Sequence, residues 1–317
     1  IKLEQNPESL ALIFLGCGTM GVAILSGILS SLNSLRLPVA SGTSIPTATL
    51  LPTRFHDASK TPPAFIACVK SPEPASRVCR AFEGFTGMPV EVYTGSNVEG
   101  VRRAEVVILG CKLRMYAEIL GEEGMCEALE GKLLVSILAG VKITALKEVV
   151  PGSTRVVRAM PNTASKVRLS LVTLGRGVFF FFFSWEGGRY SCGKALVSSM
   201  FSQIGRSLVL GEDHMDACTA LCGSGPSFHH LIVEAMADRG VMMGLPRAEA
   251  QMMAVQSKVL QSCLPVYSFV HLLMCKVSTL AGCTIYGLLI LEDGKVRSTI
   301  ARTVQGAANM AVGLGNK

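Results

Sequence analysis

The chain has 317 residues, of which 49% are hydrophobic and 17% are charged, with a net charge of +7. This length allows two domains with a sizeable core, and the lysines and arginines are spread along the chain rather than clustered. No basic block, zinc-ligand spacing or aromatic–basic repeat is visible, which argues against a nucleic-acid-binding protein. An uncharged run between Lys258 and Lys276 is interrupted by Pro265 and His271 and falls short of a membrane span.

The eleven cysteines are scattered among apolar neighbours, and none forms a CxxC pair. Cysteines used in this way are typical of small buried side chains in a reducing compartment. No secretory leader is visible at the start of the sequence. We therefore expect a cytoplasmic protein.

The first two-thirds of the chain alternates short β-rich apolar runs with helical patterns, which predicts βαβ units and a mainly parallel sheet. Six buried strands are predicted, at 10–16, 64–71, 90–95, 104–111, 132–140 and 154–161. Two further strands, at 169–175 and 206–211, are predicted at the sheet edge. Helices are predicted at 20–31, 74–85 and 114–123.

Two segments do not fit this alternation. Asn33–Pro63 is rich in Pro, Thr and Ser, which is typical of a long surface loop or a disordered insertion. Phe179–Phe183 is a run of phenylalanines without an assignable period, and it would be prone to aggregation if it were exposed.

From Glu212 onward the sequence predicts helices without intervening strands. Pro226–Arg239 is apolar on nearly every face, which indicates a helix buried all round, and Pro246 and Glu249 mark the start of the next helix. Helices without a polar face are usually buried against a second copy, so we expect at least a homodimer. The predicted architecture is α/β, with a Rossmann-like dinucleotide-binding domain at 1–211 and an all-helical dimerisation and substrate domain at 212–317.

The stretch IFLGCGTMG, beginning at Ile13, places a GxGxxG motif between a predicted strand and a predicted helix. In that context the motif predicts a dinucleotide site. Gly16 would permit the sharp turn, Gly18 would let the backbone approach a pyrophosphate, and Gly21 would allow close helix–strand packing. The helix amides would then face the phosphate charge. A glycine turn without a ligand is the alternative interpretation.

The end of the second strand bears on which nucleotide is bound. An NAD-binding protein usually places Asp or Glu there, whereas this chain offers Lys70 and Ser71, with Arg77 two turns further on. A cation and a hydroxyl suit a 2′-phosphate and favour NADPH, unless Lys70 is merely a solvated turn residue. The segment lies roughly 50 residues after the glycine motif, well beyond the usual spacing of about 20.

Six segments together resemble the pyrroline-5-carboxylate reductases in their fungal form. MPNT, GSGP and the VST…GCTI…LE stretch are more specific than the glycine motif. The segments that carry the resemblance are GCGTMGVAILSG (Gly16–Gly27), VKSPEPASRV (Val69–Val78), RAMPNTASKV (Arg158–Val167), DACTALCGSGPSF (Asp216–Phe228), EAMADRGVMMGLPRAEA (Glu234–Ala250) and VSTLAGCTIYGLLILEDGKVR (Val277–Arg297).

The resemblance implies a Rossmann domain followed by a helical dimerisation domain, assembled as a homodimer or a larger homo-oligomer. It implies reduction of the cyclic imine 1-pyrroline-5-carboxylate to L-proline, the last step of proline biosynthesis, with NADPH or NADH and without a metal. The implied cofactor-binding residues are Leu15, Gly16, Cys17, Gly18, Thr19, Met20, Gly21, Lys70, Ser71, Asn97, Gly110, Cys111, Lys112, Ile137, Leu138, Ala139 and Asn162.

The substrate is expected on the loop Ser278–Thr284, which in such enzymes lies at the dimer contact. A protonated C=N bond is already electrophilic, so the protein mainly has to hold the imine against the reduced nicotinamide. Thr284 is the expected catalytic residue, hydrogen-bonded to the ring nitrogen. Lys112 is expected to be a charge partner of phosphate rather than a proton donor, and His229 and His230 are expected to be structural. The implied substrate-binding residues are Ser278, Thr279, Gly282, Cys283 and Thr284.

Three departures from the family pattern leave alternatives open. Leu280-Ala281-Gly282 stands where the family has PGG. Cys263–Cys275 replaces a segment that in the family contains a glutamate and a His-Pro pair, and Phe179–Phe183 replaces a short polar loop. One alternative is a weakly active or inactive NADP(H)-binding paralogue that acts as a scaffold or redox sensor. Another is a β-hydroxyacid dehydrogenase, for which Lys258 would be the nearest acid/base candidate.

Overall fold

The computed structural model describes residues 11–36, 64–85, 88–168, 170–176, 193–262 and 283–315. Most of the predicted insertion, the phenylalanine run and Cys263–Cys275 lie outside these ranges. The chain divides into two compact units, one formed by Ile1–Gly223 with Ala311–Lys317 and the other by Ser224–Met310. The functional domain boundary expected after residue 211 stays a prediction.

All eight predicted strands are present and form one sheet in the order β3-β2-β1-β4-β5-β6-β7-β8. The first six of these strands run parallel to one another, and β7 and β8 run in the opposite direction. The strands are β1 (Ala11–Leu15), β2 (Ala64–Val69), β3 (Val90–Thr94), β4 (Val106–Leu109), β5 (Leu133–Ser136), β6 (Arg155–Met160), β7 (Ser170–Arg176) and β8 (Gly205–Gly211).

In the described part of the first unit, eight helices accompany the sheet: α1 (Thr19–Arg36), α2 (Pro72–Phe82), α3 (Asn97–Arg102), α4 (Tyr116–Leu120), α5 (Met125–Leu129), α6 (Ile143–Val149), α7 (Gly193–Ser202) and α8 (Met215–Cys218). Short 3-10 helices span Leu113–Met115, Thr163–Val167 and Glu212–His214, and a π-helical turn spans Thr219–Ser224. Helix α1 continues past the predicted end at Ser31, so the first residues of the predicted insertion are helical.

The sheet is covered by helices on both faces, because its strands are apolar on both sides. In β1, Leu12 and Phe14 pack on one face with α1, α2 and α7, whereas Ile13 and Leu15 pack on the other with α3, α5 and α6. Alternate residues of a strand point to opposite faces, so continuous apolar runs are required here. The predicted α/β class with a Rossmann-like domain is confirmed.

Two of the sequence motifs touch each other in the first unit. A Cβ built on Gly27 of α1 would lie 2.3 Å from the carbonyl oxygen of Ser165, in the 3-10 helix that follows MPNT. Since the neighbour is backbone, it has little freedom to give way. The absence of a side chain at Gly27 therefore lets α1 pack closely against that segment.

Among the described residues, the second unit contains α9 (Gly225–Met242), α10 (Arg247–Ser262), α11 (Cys283–Asp293) and most of α12 (Val296–Leu314). The small buried cluster of this unit is Ala237, Ala250 and Ala254, where α9 meets α10. None of the described helices is long and apolar enough to cross a membrane.

The prediction that Pro226–Arg239 is buried on every face is wrong for the single chain. Only Gly225 and Ala237 of α9 are buried, and Leu231 is 69% exposed. His229 and His230, expected to be structural residues of a buried helix, are exposed as well. The reason is that α9 meets its described neighbours along one narrow stripe of small side chains, which leaves its other apolar faces uncovered.

Gly27→Ala tests the close contact between the two motifs. We expect it to lower the free energy of unfolding by about 1–3 kcal/mol, because the new methyl group overpacks against backbone. Gly84→Ala is the matched control, since a Cβ there meets nothing within 4 Å; we expect a change within about 0.5 kcal/mol. Chemical denaturation measures both, and equal stabilities of the two variants would contradict this packing.

Candidate functional site

The expected cofactor-binding residues all lie at or shortly after the carboxyl ends of the six parallel strands, along one edge of the sheet. Strand order reverses between β1 and β4, which are neighbours in the sheet. The other neighbour of β1 is β2, and the other neighbour of β4 is β5. Ligands of open α/β sheets bind in the crevice outside such a reversal. The segments that meet at this edge are Leu15–Gly21, Lys70–Ser71, Asn97, Gly110–Lys112, Ile137–Ala139 and Asn162.

The loop after β1 is held tightly against its neighbours. Gly16 has φ +82°, and a Cβ there would lie 2.6 Å from the Cα of Cys111. The backbone N–H groups of Gly16 and Cys17 both donate to the carbonyl of Cys68, at 3.1 and 3.0 Å. The N–H of Gly110 donates to the carbonyl of Leu15 at 2.8 Å. The ends of β1, β2 and β4 are therefore fixed to one another, and Gly16 makes the sharp turn that was predicted.

The other two glycines of the motif have contrasting surroundings. A Cβ on Gly21 would lie 3.2 Å from the Sγ of Cys17 and 3.5 Å from Phe14, so the predicted close helix–strand packing is present. Gly18 is exposed, and a Cβ there would meet nothing within 4 Å. Helix α1 begins directly after Gly18 and has no acidic residue in its first turn. The free N–H groups and positive dipole end of α1 suit an anion at this open face.

The end of β2 carries the expected 2′-phosphate residues. Lys70, Ser71 and Arg77 are exposed, and the strand that leads to them pairs with β1 as predicted, despite the long insertion. Ser71 precedes α2 in an extended conformation, and its hydroxyl makes no capping hydrogen bond. This stretch contains two cations, Lys70 and Arg77, and one carboxylate, Glu73, so its net positive charge suits an anionic ligand.

The two asparagines at this edge are already engaged. The Nδ2 of Asn97 donates to the Oε1 of Glu122 at 2.6 Å. The Oδ1 of Asn162 accepts from the N–H of Ala164 at 3.0 Å, and its Nδ2 donates to the carbonyl of Cys222 at 2.8 Å. Asn162 therefore caps the 3-10 helix and ties it to the π-helical turn.

The cysteines at this edge have raised thiol pKa values. Burial raises the pKa of Cys17 and of Cys68 to about 12, and the pKa of Cys111 to about 11. These thiols stay protonated at neutral pH, unlike the low-pKa thiolates of redox sensors. Cys79 and Cys126 are exposed, so the expectation that the cysteines are buried holds only in part.

Sequence reasoning missed three side chains that hold the loop between β5 and α6. Ser136 accepts from the N–H of Leu138 at 3.3 Å, and Glu212 accepts from the N–H of Ile143 at 2.5 Å. Arg158 lies beside Glu212, with Nη1 3.4 Å from its Oε1. An arginine inside the apolar run of β6 was the available signal, because a buried charge requires a partner.

The expected substrate residues are only partly described. Ser278, Thr279 and Gly282 lie outside the described residues, as do Leu280 and Ala281. Cys283 and Thr284 are the first two residues of α11, which has eleven residues. The backbone N–H groups of Cys283 and Thr284 therefore belong to the first turn of a helix, where such groups lack intrahelical partners.

Comparison with known proteins identifies both parts of the chain. Residues 212–314 match the pyrroline-5-carboxylate reductase dimerisation family, and residues 51–140 match the family described as NADP oxidoreductase coenzyme F420-dependent. A pyrroline-5-carboxylate reductase of Lophium arboricola is 44% identical over 98% of this chain and 95% of its own length. One from Schizosaccharomyces pombe is 41% identical over 95% of this chain and 98% of its own length.

Solved structures agree on the fold. Plasmodium falciparum pyrroline carboxylate reductase with NADP bound has a TM-score of 0.73 at 22% identity, covering 97% of this chain and 99% of that one. The Coxiella burnetii pyrroline-5-carboxylate reductase gives 0.73 at 22% identity, covering 97% and 98%. Because relatives that are 44% and 41% identical match 98% and 95% of this chain, the chain belongs to the pyrroline-5-carboxylate reductase family.

Proposed function

We propose that the protein reduces 1-pyrroline-5-carboxylate to L-proline by hydride transfer from NADPH, with NADH as a possible substitute. The observation that carries the proposal is the carboxyl edge of the sheet, where an open, exposed Gly18 precedes the anion-attracting start of α1. Family membership supports the reaction and favours it over a β-hydroxyacid dehydrogenase.

The pyrophosphate is proposed to lie over Gly18 and the first N–H groups of α1. The 2′-phosphate is then within the reach of the segment after β2, where Lys70 supplies charge and Ser71 supplies a hydroxyl without a capping bond. NADH lacks that phosphate, so the segment favours NADPH. The nicotinamide end is proposed to lie toward the loop after β5, which includes Ile137–Ala139.

When bound, the reduced nicotinamide supplies the hydride. The electron pair of that hydride would form the new C–H bond at the imine carbon, and the π electron pair of the C=N bond would become the lone pair of the amine. The N–H groups at the start of α11 are proposed to hold the substrate carboxylate, since helix N-termini attract anions. Thr284 is proposed to accept a hydrogen bond from the iminium N–H and so to orient the ring.

Lys112 is proposed to act as a charge partner rather than as an acid. It is exposed and follows Cys111 at the end of β4, on the edge where phosphate is expected. The substrate is already a protonated imine, so no separate proton donor is needed for hydride addition. The exposed position of Lys112 suits contact with a charged ligand.

The protein is proposed to work as a cytoplasmic homo-oligomer. Large apolar side chains on the second unit are exposed in the single chain, among them Leu231, Met243 and Tyr286. Surface of this kind is typical of a protein–protein contact, and the match to a dimerisation family supports a second copy as the partner. The seven cysteines whose side chains the structure describes are all free, as in a reducing compartment.

Activity is tested by adding 1-pyrroline-5-carboxylate and following the loss of NADPH absorbance at about 340 nm. The wild type is expected to oxidise NADPH, and Thr284→Ala to lower kcat/KM by about 10–100-fold, because one oriented hydrogen bond is lost. Thr303→Ala, on an exposed position of α12, is the control and should leave kcat/KM unchanged. Tight NADPH binding without turnover by the wild type would instead support an inactive binding paralogue.

Lys70→Ala tests the 2′-phosphate site. We expect it to raise KM for NADPH by about tenfold and to leave KM for NADH nearly unchanged, because only NADPH carries the phosphate. Lys147→Ala, on an exposed residue in the last turn of α6, is the control for loss of one positive charge. Steady-state kinetics with each cofactor measure the ratio, and equal losses for the two cofactors would refute the assignment.

A further inference from the structure

We infer that Glu212, held in place by the buried Arg158, is a positioning residue for the cofactor loop, which we define as residues 137–142 between β5 and α6. The inference rests on the proposed function, because that function places the nicotinamide end of the cofactor beside Ile137–Ala139. In this role Glu212 needs no contact with cofactor or substrate. It acts on the loop through the start of α6.

Arg158 is an unusual residue for the middle of a sheet. Its side chain is 1% exposed, and it pairs in register with Ser136 on β5 and Gly175 on β7. A Cβ on Gly175 would lie 2.8 Å from the Cγ of Met215 and 3.3 Å from the Cβ of Arg158, so the glycine leaves room for both side chains. A charge buried to this degree is costly unless nearby groups compensate it.

Two carboxylates supply that compensation. The Nη1 of Arg158 lies 3.4 Å from the Oε1 of Glu212, and its Nη2 lies 3.6 Å from the Oδ1 of Asp216. Asp216 is in ion-pair range but not within hydrogen-bond distance, and its Oδ1 has no hydrogen-bond partner among the described residues. Glu212 therefore makes the closer of the two contacts with the guanidinium.

Glu212 also makes a second contact that Asp216 lacks. Its Oε1 accepts a hydrogen bond from the backbone N–H of Ile143, the first residue of α6, at 2.5 Å. The residue before it, Lys142, provides no side-chain cap, and the first turn of α6 contains no acidic residue. A carboxylate 69 positions along the chain thus satisfies an otherwise unpaired N–H and faces the positive end of the helix.

The cofactor loop is consequently fixed at both ends. At its start, Ile137 donates to the carbonyl of Leu109 at 3.0 Å, and Leu138 donates to the Oγ of Ser136 at 3.3 Å. At its end, Glu212 holds Ile143. Only six residues lie between β5 and α6, so a shift of the α6 start passes directly into the backbone at Ile137–Ala139. Gly140, with φ +80°, allows the turn between the two anchors.

The test compares Glu212→Ala with Asp216→Ala. Both variants remove a carboxylate from Arg158, but only the first removes the acceptor of Ile143. We expect Glu212→Ala to raise the Kd and KM for NADPH by about fivefold with little change in kcat, since one helix-capping interaction is lost. Asp216→Ala should change the Kd and KM for NADPH by less than about twofold, even if it lowers Tm as much as Glu212→Ala does. Glu212→Gln keeps the acceptor oxygen and should restore most of the affinity.

Hydrogen exchange on the cofactor-free protein gives a readout independent of turnover. Amides of 137–146 should exchange faster in Glu212→Ala than in Asp216→Ala, and Glu212→Gln should resemble the wild type. Equal exchange in the two alanine variants, or equal effects on NADPH Kd, would overturn the inference. A wild type that binds no NADPH would instead refute the proposed function, and with it the role given to the loop, whereas the exchange data would still decide whether Glu212 anchors α6.

Discussion

The proposed cofactor site depends on the way the ends of β1, β2 and β4 are locked together at one edge of the sheet. The turn at Gly16 approaches the backbone of Cys111 so closely that no side chain fits between them, and the carbonyl of Cys68 accepts two N–H groups from the turn. This constraint fixes the start of α1 and leaves Gly18 facing open space. A rigid, uncovered cluster of backbone donors is a suitable anion site, because it needs little reorganisation when the ligand arrives.

The edge also explains how distant sequence segments serve one ligand. Parallel strands bring every carboxyl end to the same side, so the segment with Lys70 lies near the glycine motif although the insertion separates them in sequence. The raised pKa values of Cys17 and Cys111 keep these thiols neutral beside the site, and this argues against a redox-sensing role for them. Binding of the imine is a separate task. The proposed function assigns that task to the start of α11 and Thr284.

Local patterns were sufficient to predict the sheet. Each strand is a short apolar run, and the roles of Gly16 and Gly21 follow from steric rules that act over a few residues. The contact of Arg158 with Glu212 could not be predicted, because it joins positions 54 apart whose pairing depends on tertiary structure. The exposure of α9 in the single chain could not be predicted for a related reason: the apolar pattern predicts burial, with a second copy as the expected cover, but does not show which faces its own chain covers.

The most direct test of the central claim is a titration of Gly18→Ala with NADPH. A Cβ at Gly18 meets nothing within 4 Å, so the substitution should leave Tm of the free protein unchanged. It should nevertheless weaken NADPH binding by at least about tenfold, because the methyl group occupies the space proposed for the pyrophosphate. Gly152→Ala, also in open space but before β6, is the control and should bind normally. Unchanged NADPH affinity in Gly18→Ala would contradict the account.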